Sequence, residues 1–190
     1  MNLLPCDGVV TYRGRVFTPD ECDGHLSRLI EEIPWEHDET VMFGKRIVTK
    51  RKVAWFADDG RSYAYSGTEK KAHYWTEHLL FLKDVAEKNS GATYNSCLLN
   101  LYHDGGEGMG WHSDDERSLA ECAPILSMSF GAERKFSFRH KSNKEAVSVF
   151  LENGSLLVMA GETQKHWHHQ LPKSAKISIP RVNLTFRTMR

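Results

Sequence analysis

Three imidazoles fall within four positions in the stretch His166-Trp167-His168-His169. Such a cluster serves a metal or sits in a solvated, histidine-rich loop. Nothing local separates the two readings, or says which of His166, His168 and His169 would act. A second candidate lies upstream in Trp-His-Ser-Asp-Asp-Glu-Arg-Ser (111–118), where His112 and Asp114 make a His-x-Asp pair. On a strand, residues two apart project to one face, so an imidazole and a carboxylate would take adjacent corners of a metal. Alone, so short a motif reads more simply as a solvated turn. A distant histidine would change that, because two histidines and one carboxylate leave coordination positions open, as in non-haem Fe(II) oxygenases. The 166–169 cluster lies several predicted strands downstream, where a folded sheet can return it to His112.

The C-terminal stretch Pro-Arg-Val-Asn-Leu-Thr-Phe-Arg (180–187) adds a different chemistry. On a strand, Arg181, Asn183, Thr185 and Arg187 share one face, and Val182, Leu184 and Phe186 share the other. Asn100 and Tyr102 alternate in the same way with Leu99 and Leu101. A polar strand face ordinarily meets solvent. Beside a metal it can line a pocket instead, and two guanidinium forks suit a ligand with two carboxylates.

These side chains need a scaffold. The chain has 190 residues, enough for one domain with its own core. Lys+Arg and Asp+Glu balance at 25 each, so any attraction for nucleic acid must come from local patches. Cys6, Cys22, Cys97 and Cys122 are scattered with no Cys-x-x-Cys, which indicates free thiols in a reducing compartment. No apolar run approaches membrane-spanning length, and the N-terminus lacks a signal pattern. A cytoplasmic protein, nuclear in a eukaryote, is the expectation.

Thr18 and Glu21 have capping-box spacing with Pro19 between them, which predicts a helix running to Ile33 before Pro34. A second helix is predicted over about 74–89, with Gly91 beyond its end. Extended stretches are expected near 41–48, 51–56 and 62–66. After Gly91, short apolar runs broken by turns predict many strands, and so a β-sandwich or barrel with the helices on one face.

Taken in order, Asn-Leu-Tyr (100–102), His-Ser-Asp-Asp-Glu (112–116), and the runs 127–141, 151–161, 166–172 and 180–187 resemble the AlkB family of Fe(II)/2-oxoglutarate dioxygenases. The likeness is greatest to the branch that repairs alkylated DNA. It implies a mostly β fold with flanking helices (α+β): a double-stranded β-helix, or jelly roll, over 93–190. Residues 1–92 would supply an N-terminal extension, the helices and a nucleotide-recognition lid. It further implies Fe(II) held by His112, Asp114 and His169, with 2-oxoglutarate and O2 as cosubstrates. Asn100, Tyr102, Arg181, Asn183, Thr185 and Arg187 match the positions that bind 2-oxoglutarate. Alternation agrees in part: in an extended stretch His166 and His168 share one face, and His169 takes the other with Trp167.

The same resemblance assigns a substrate side. Tyr65 matches the residue that stacks on a flipped base, Tyr63 a polar contact to it, and Glu116 the acid that meets its exocyclic amine, with Asp115 close by. Ordinary core tyrosines and a solvated acidic turn are the plain alternatives. Met42, Phe43 and Gly44 resemble a hairpin finger, with Phe43 as an apolar wedge in the duplex. Lys45, Arg51 and Lys52 would grip phosphates along its edge, and Arg139, His140 and Lys141 add basic groups elsewhere. Lys50 and Ala57 depart from the proline and glycine common in relatives.

The implied activity is oxidative demethylation of N1-methyladenine and N3-methylcytosine in single- or double-stranded DNA by a monomer. It would be coupled to decarboxylation of 2-oxoglutarate to succinate, with release of formaldehyde. RNA demethylation, or hydroxylation of another substrate on the same core, is the second reading. A non-catalytic metal-binding jelly-roll module is the third.

Overall fold

A computed structural model gives the fold. It describes residues 1–42, 45–59, 62–65 and 68–190, and side chains outside 39–47 and 60–71. The first strand, β1 (Val9–Arg15), leads into helix α1 (Pro19–Glu32). Thr18 caps α1 as its spacing predicts: its hydroxyl accepts from Glu21 N, and the Glu21 carboxylate accepts from Thr18 N at 2.8 Å. Then come β2 (Glu36–Met42), β3 (Lys45–Ala57), β4 (Ser62–Tyr65) and β5 (Thr68–Lys71). Helix α2 (Glu77–Ser90) is capped by Thr76 and ended by Gly91, whose left-handed φ of 72° glycine adopts without strain.

The remainder is almost all strand: β6 (Ser96–Tyr102), β7 (Met109–His112), β8 (Ile125–Gly131), β9 (Arg134–His140), β10 (Ala146–Leu151) and β11 (Ser155–Ala160). A four-residue helix, α3 (Thr163–His166), precedes β12 (Trp167–Leu171) and β13 (Arg181–Arg187). Seven strands form one sheet in the order β1-β11-β8-β13-β6-β3-β2, and four form another in the order β10-β9-β12-β7. This is the sandwich of a jelly roll. The stretches expected at 41–48 and 51–56 prove to be parts of β2 and the long β3, which join the larger sheet. Ala57 lies at the end of β3 and is not among the residues with positive φ. Its departure from glycine therefore carries no backbone strain.

The two faces of the larger sheet do different work. Leu99, Met128, Leu184 and Phe186 pack outward with Phe56 against Leu29, Leu79 and Leu82 of the helices. Each such side chain removed from water contributes about 1.5–3 kcal/mol, so this layer anchors the sheet. The opposite face meets the smaller sheet. One half of that interior is apolar, with Val10, Ile125, Phe138, Leu157 and Trp167 buried together. The other half is polar, and there the predicted site residues gather.

Candidate metal centre

Strand β13 is central in its sheet, and all seven of its residues are buried. Its polar face therefore cannot be a solvent face. Register sets Asn183 opposite Asn100 on β6 and Ser129 on β8, with Arg181 opposite Tyr102 and Thr185 opposite Ser127. The result is a polar row inside the sandwich. Arg181 Nη2 donates to Ser129 Oγ at 2.9 Å and Asn183 Oδ1 at 2.8 Å. Ser127 Oγ donates to the same Asn183 oxygen, and Asn183 Nδ2 donates to Thr185 Oγ1, both at 2.8 Å.

Facing this row, β12 pairs with β7 so that His169 lies opposite His112. Their rings are 4.2 Å apart, and His112 Nε2 and His169 Nε2 stand 3.7 and 3.9 Å from Asp114 Oδ1. The ligand atoms of the three residues lie within 4.8 Å of one another. His112 Nδ1 is 2.8 Å from the Gly110 carbonyl, an acceptor, so this nitrogen carries the proton and Nε2 presents its lone pair to the carboxylate. A lone-pair nitrogen facing a carboxylate oxygen repels it unless a cation stands between them.

The electrostatics favour that cation. Burial pushes the His169 imidazole down to about 3, which keeps it a neutral ligand. Burial would raise the Asp114 carboxyl, but the Arg187 guanidinium and the two imidazoles outweigh it and hold it below its usual range. Arg187 Nη2 donates to Asp114 Oδ2 at 2.7 Å. The donor set of two imidazoles and a carboxylate suits Fe(II).

The second requirement is an anion. Arg181 is 2% exposed, and burial lowers its guanidinium to about 10. Arg181 Nε and Asn100 Oδ1 have no hydrogen-bond partner among the described residues. A buried cation without a carboxylate is costly, and a dicarboxylate entering beside it supplies the missing charge. Tyr102 is next to it, its ring 5.6 Å from Arg181 and 5.8 Å from Arg134. A narrow pocket of about 50 Å³ unites the metal trio with Asn100, Tyr102 and the four polar residues of β13. A larger cavity of about 590 Å³ shares Asp114 but touches none of the polar β13 residues. The chemistry belongs to the smaller one.

Another group, Cys6, Asp7 and His140, also has metal-ligand spacing. His140 Nδ1 accepts from the backbone N–H groups of Ser142 and Asn143, at 3.3 and 3.2 Å. Its proton therefore sits on Nε2 and points at Asp7 Oδ2, 3.2 Å away. A nitrogen bearing that hydrogen has no lone pair for a metal.

Several expectations change. Strand β7 ends at His112, so Asp114 stands in the following loop and not on the same strand. Strand pairing stops there, and the Ser113 hydroxyl takes over by donating to the Trp167 carbonyl at 3.0 Å. His166 closes α3, so the alternation expected across 166–169 begins only at Trp167. Arg51 is not on a solvent edge. It is buried on β3 and ion-paired with Asp38, with Nη1 3.4 Å from Met109 Sδ. Alternation turned it inward beside Val53, while Lys52 stays half-buried.

Glu116 lies 3.8 Å from Arg187 Nη1, at the edge of the metal centre, and Asp115 points away, 3.8 Å from Lys141. Arg139 covers the Trp111 ring at 4.4 Å. Phe43 and Gly44 lie outside the described residues, as do the side chains of Met42, Lys45, Tyr63 and Tyr65.

Sequence reasoning missed Arg134. It is buried, and its Nη2 donates to the Glu107 and Pro172 carbonyls, both at 2.8 Å, fastening two loops beside Tyr102. Period-two alternation with Phe136 and Phe138 was the available signal.

Comparison with known proteins gives the family. Residues 8–187 match the model of the 2OG-Fe(II) oxygenase superfamily. Alpha-ketoglutarate-dependent dioxygenase alkB homolog 3 of Bos taurus is 37% identical over 89% of this chain and 62% of its own length. DNA oxidative demethylase ALKBH2 of Mus musculus is 38% identical over 97% of this chain and 80% of its own, and that of Homo sapiens 39% identical over 88% and 67%. The chain thus spans about 62% of the length of the alkB homolog 3 relative. A solved structure of OsALKBH1 superposes with a TM-score of 0.64 at 16% identity, over 97% of this chain and 98% of that one, which shows the shared fold.

Proposed function

This chain belongs to the AlkB family of 2OG-Fe(II) oxygenases, and from that membership we propose that it oxidatively demethylates N-alkylated bases in DNA. N1-methyladenine and N3-methylcytosine are the substrates the reading favours. The observation that carries it is the buried Arg181, without a carboxylate partner among the described residues, on the strand that faces His112, Asp114 and His169.

His112, Asp114 and His169 would hold the iron. Bound there, Fe(II) with 2-oxoglutarate and O2 would supply the oxidant for hydroxylating the N-methyl carbon, with the keto acid leaving as succinate and CO2. The hydroxymethyl adduct on the base then collapses to formaldehyde and the restored base. Arg181 binds one carboxylate of the cosubstrate through its open Nε edge, and Asn100 and Tyr102 border the same ligand. Arg187 keeps Asp114 ionised and oriented. Trp167, Leu171 and Phe138 close the interior behind His169 to water.

At the mouth, Glu116 is the acid for the exocyclic amine of a flipped base, and the His112 ring offers one stacking face. Tyr65 supplies the other, and Tyr63 a polar contact. Met42, Phe43 and Gly44 are the finger for the duplex on this reading, with Lys45 and Lys52 as phosphate contacts. Arg139, held on Trp111, is a phosphate contact, so binding weakens steeply with salt. On this reading the protein acts as a monomer where DNA is, in the cytoplasm or, in a eukaryote, the nucleus. No helix among the described residues is long and apolar enough to cross a membrane.

Formaldehyde release from an N1-methyladenine oligonucleotide, with Fe(II), 2-oxoglutarate and O2, tests this. Single-stranded DNA, duplex DNA and RNA form its three arms. Turnover on RNA alone would move the assignment to RNA. No turnover on any arm, with iron and cosubstrate bound, would overturn demethylation and leave hydroxylation of another substrate or the non-catalytic module.

A further inference from the structure

Asp114 sits where the chain has left its strand. The ladder between β7 and β12 ends at the His112–His169 pair, so nothing in the sheet holds the backbone two residues later. A misplacement of about 1 Å in a ligand is enough to weaken a site severely. Some other contact must fix this loop.

The contact is a side chain that no motif marks. Gln164, on α3, accepts from the Asp114 backbone N–H through Oε1 at 2.9 Å. Its Nε2 donates to Met159 Sδ at 3.4 Å. The amide thus spans from the metal carboxylate's own backbone to a wall residue of the metal pocket. It also lines the adjoining cavity of about 590 Å³, of which Asp114 is a wall. Gln164 thus lies on the side of Asp114 that faces that cavity, while Met159 and Asp114 line the metal pocket.

Gln164 is itself held. Lys141 Nζ donates to its carbonyl at 2.8 Å, and the hydroxyl of Thr163, 1% exposed, donates to the Ala160 carbonyl at 2.6 Å. Next to it, Ser113 Oγ bonds the Trp167 carbonyl at 3.0 Å and meets His168 Nδ1 at 3.2 Å. Two side-chain bonds, one from Ser113 and one from Gln164, thus replace the ladder that stopped at His112.

We propose that Gln164 is a positioning residue for the metal centre: its amide oxygen latches the Asp114 loop to α3. The inference rests on the reading of His112, Asp114 and His169 as metal ligands. It predicts that Gln164 acts on metal affinity, whereas a residue serving only the fold would act on stability.

The test uses Mn(II) as an inert divalent probe, titrated calorimetrically into the metal-free protein, with melting temperature measured separately. Gln164→Leu keeps the bulk and removes the acceptor. It should weaken Mn(II) binding by about 10-fold or more, the usual scale for outer partners of metal ligands, while the metal-free melting temperature stays near wild type. Gln164→Glu retains an acceptor for the Asp114 N–H and should bind within a few-fold of wild type. Lys165→Ala, one residue away and exposed, is the control and should bind as wild type. Wild-type affinity in Gln164→Leu overturns the latch. So does equal loss in Gln164→Leu and Gln164→Glu, or a loss that follows a fall in the metal-free melting temperature. No Mn(II) binding by the wild-type protein overturns the metal centre itself, a result distinct from these.

Discussion

Arg187 Nη2 and Asp114 Oδ2 meet at 2.7 Å, across 73 residues of chain, in the interior between the two sheets. One guanidinium on the last strand therefore orients the carboxylate that stands between His112 and His169. Arg187 also approaches Glu116, at 3.8 Å, so the same group joins the metal centre to the acid proposed for the base. Charge-assisted hydrogen bonds of this kind are among the stronger ones in proteins.

Replacing Arg187 by Met should leave the Asp114 carboxylate buried without its cation. Metal affinity should fall on the order of 10–100-fold, as for other outer partners of ligands. Arg187→Lys keeps the charge and loses the fork, and should fall between. Calorimetric titration with Mn(II) reads both. An unchanged dissociation constant in Arg187→Met would show that Asp114 is placed without it.

Arg181 makes the opposite prediction for stability. Its charge is buried with no carboxylate partner among the described residues, a state that costs free energy until an anion arrives. Arg181→Met should remove 2-oxoglutarate binding without lowering the ligand-free melting temperature. Wild type should melt higher as 2-oxoglutarate is added to the metal-bound protein, by mass action, and the variant should not. A variant that melts lower but still responds to the cosubstrate would place the carboxylate elsewhere.

How legible the site was depended on whether its signals were periodic. The polar face of β13 could be read from alternation alone, because seven consecutive buried residues keep one register. The same rule failed at Asp114 and His166, where strands end and period two no longer applies. It was available at Arg51 and Arg134, but a charged side chain on a strand reads as exposed until a buried partner is seen. Asp38 and the carbonyls of Glu107 and Pro172 are those partners, and each is far in sequence or carries no motif. Gln164 gave no signal, since a glutamine contacting a backbone N–H fifty positions away looks like any other. Helices α1 and α2 were legible through the Thr18–Glu21 capping box and Gly91, which are local signals, whereas α3 has no side-chain cap to mark it.

Acid should loosen the helix layer. His25 Nδ1 and His78 Nε2 are 2.9 Å apart between α1 and α2, with Glu32 3.5 Å from His78. Burial lowers both imidazoles; Arg28 lowers them further, and Glu21 and Glu32 oppose it. Both are neutral in the fold, so the unfolded chain binds protons first as pH falls. Stability should be full above about pH 6.5, the ordinary histidine value, and decline as pH drops through the lowered values of the folded pair. His25→Gln with His78→Gln should flatten the fall in melting temperature between about pH 7.5 and 5.5. An equally steep fall in that double variant would assign the acid sensitivity to other groups.

The three clustered histidines separate by what each ring meets. His166 faces Glu162, with Nε2 3.5 Å from its carboxylate, and its ring lies parallel to His140. His168 turns to the opposite side of β12 from His169 and meets Ser113. His169 alone turns into the sandwich, where it faces His112 and Asp114. His169→Ala should therefore abolish metal binding and turnover together. His166→Ala should bind the metal as wild type does. His168→Ala keeps all three ligands and the Ser113 bond to Trp167, so the metal should still bind, with affinity reduced by less than about 10-fold. Mn(II) titration of the three variants decides among them. Loss of the metal from His168→Ala with retention in His169→Ala would exchange the two assignments.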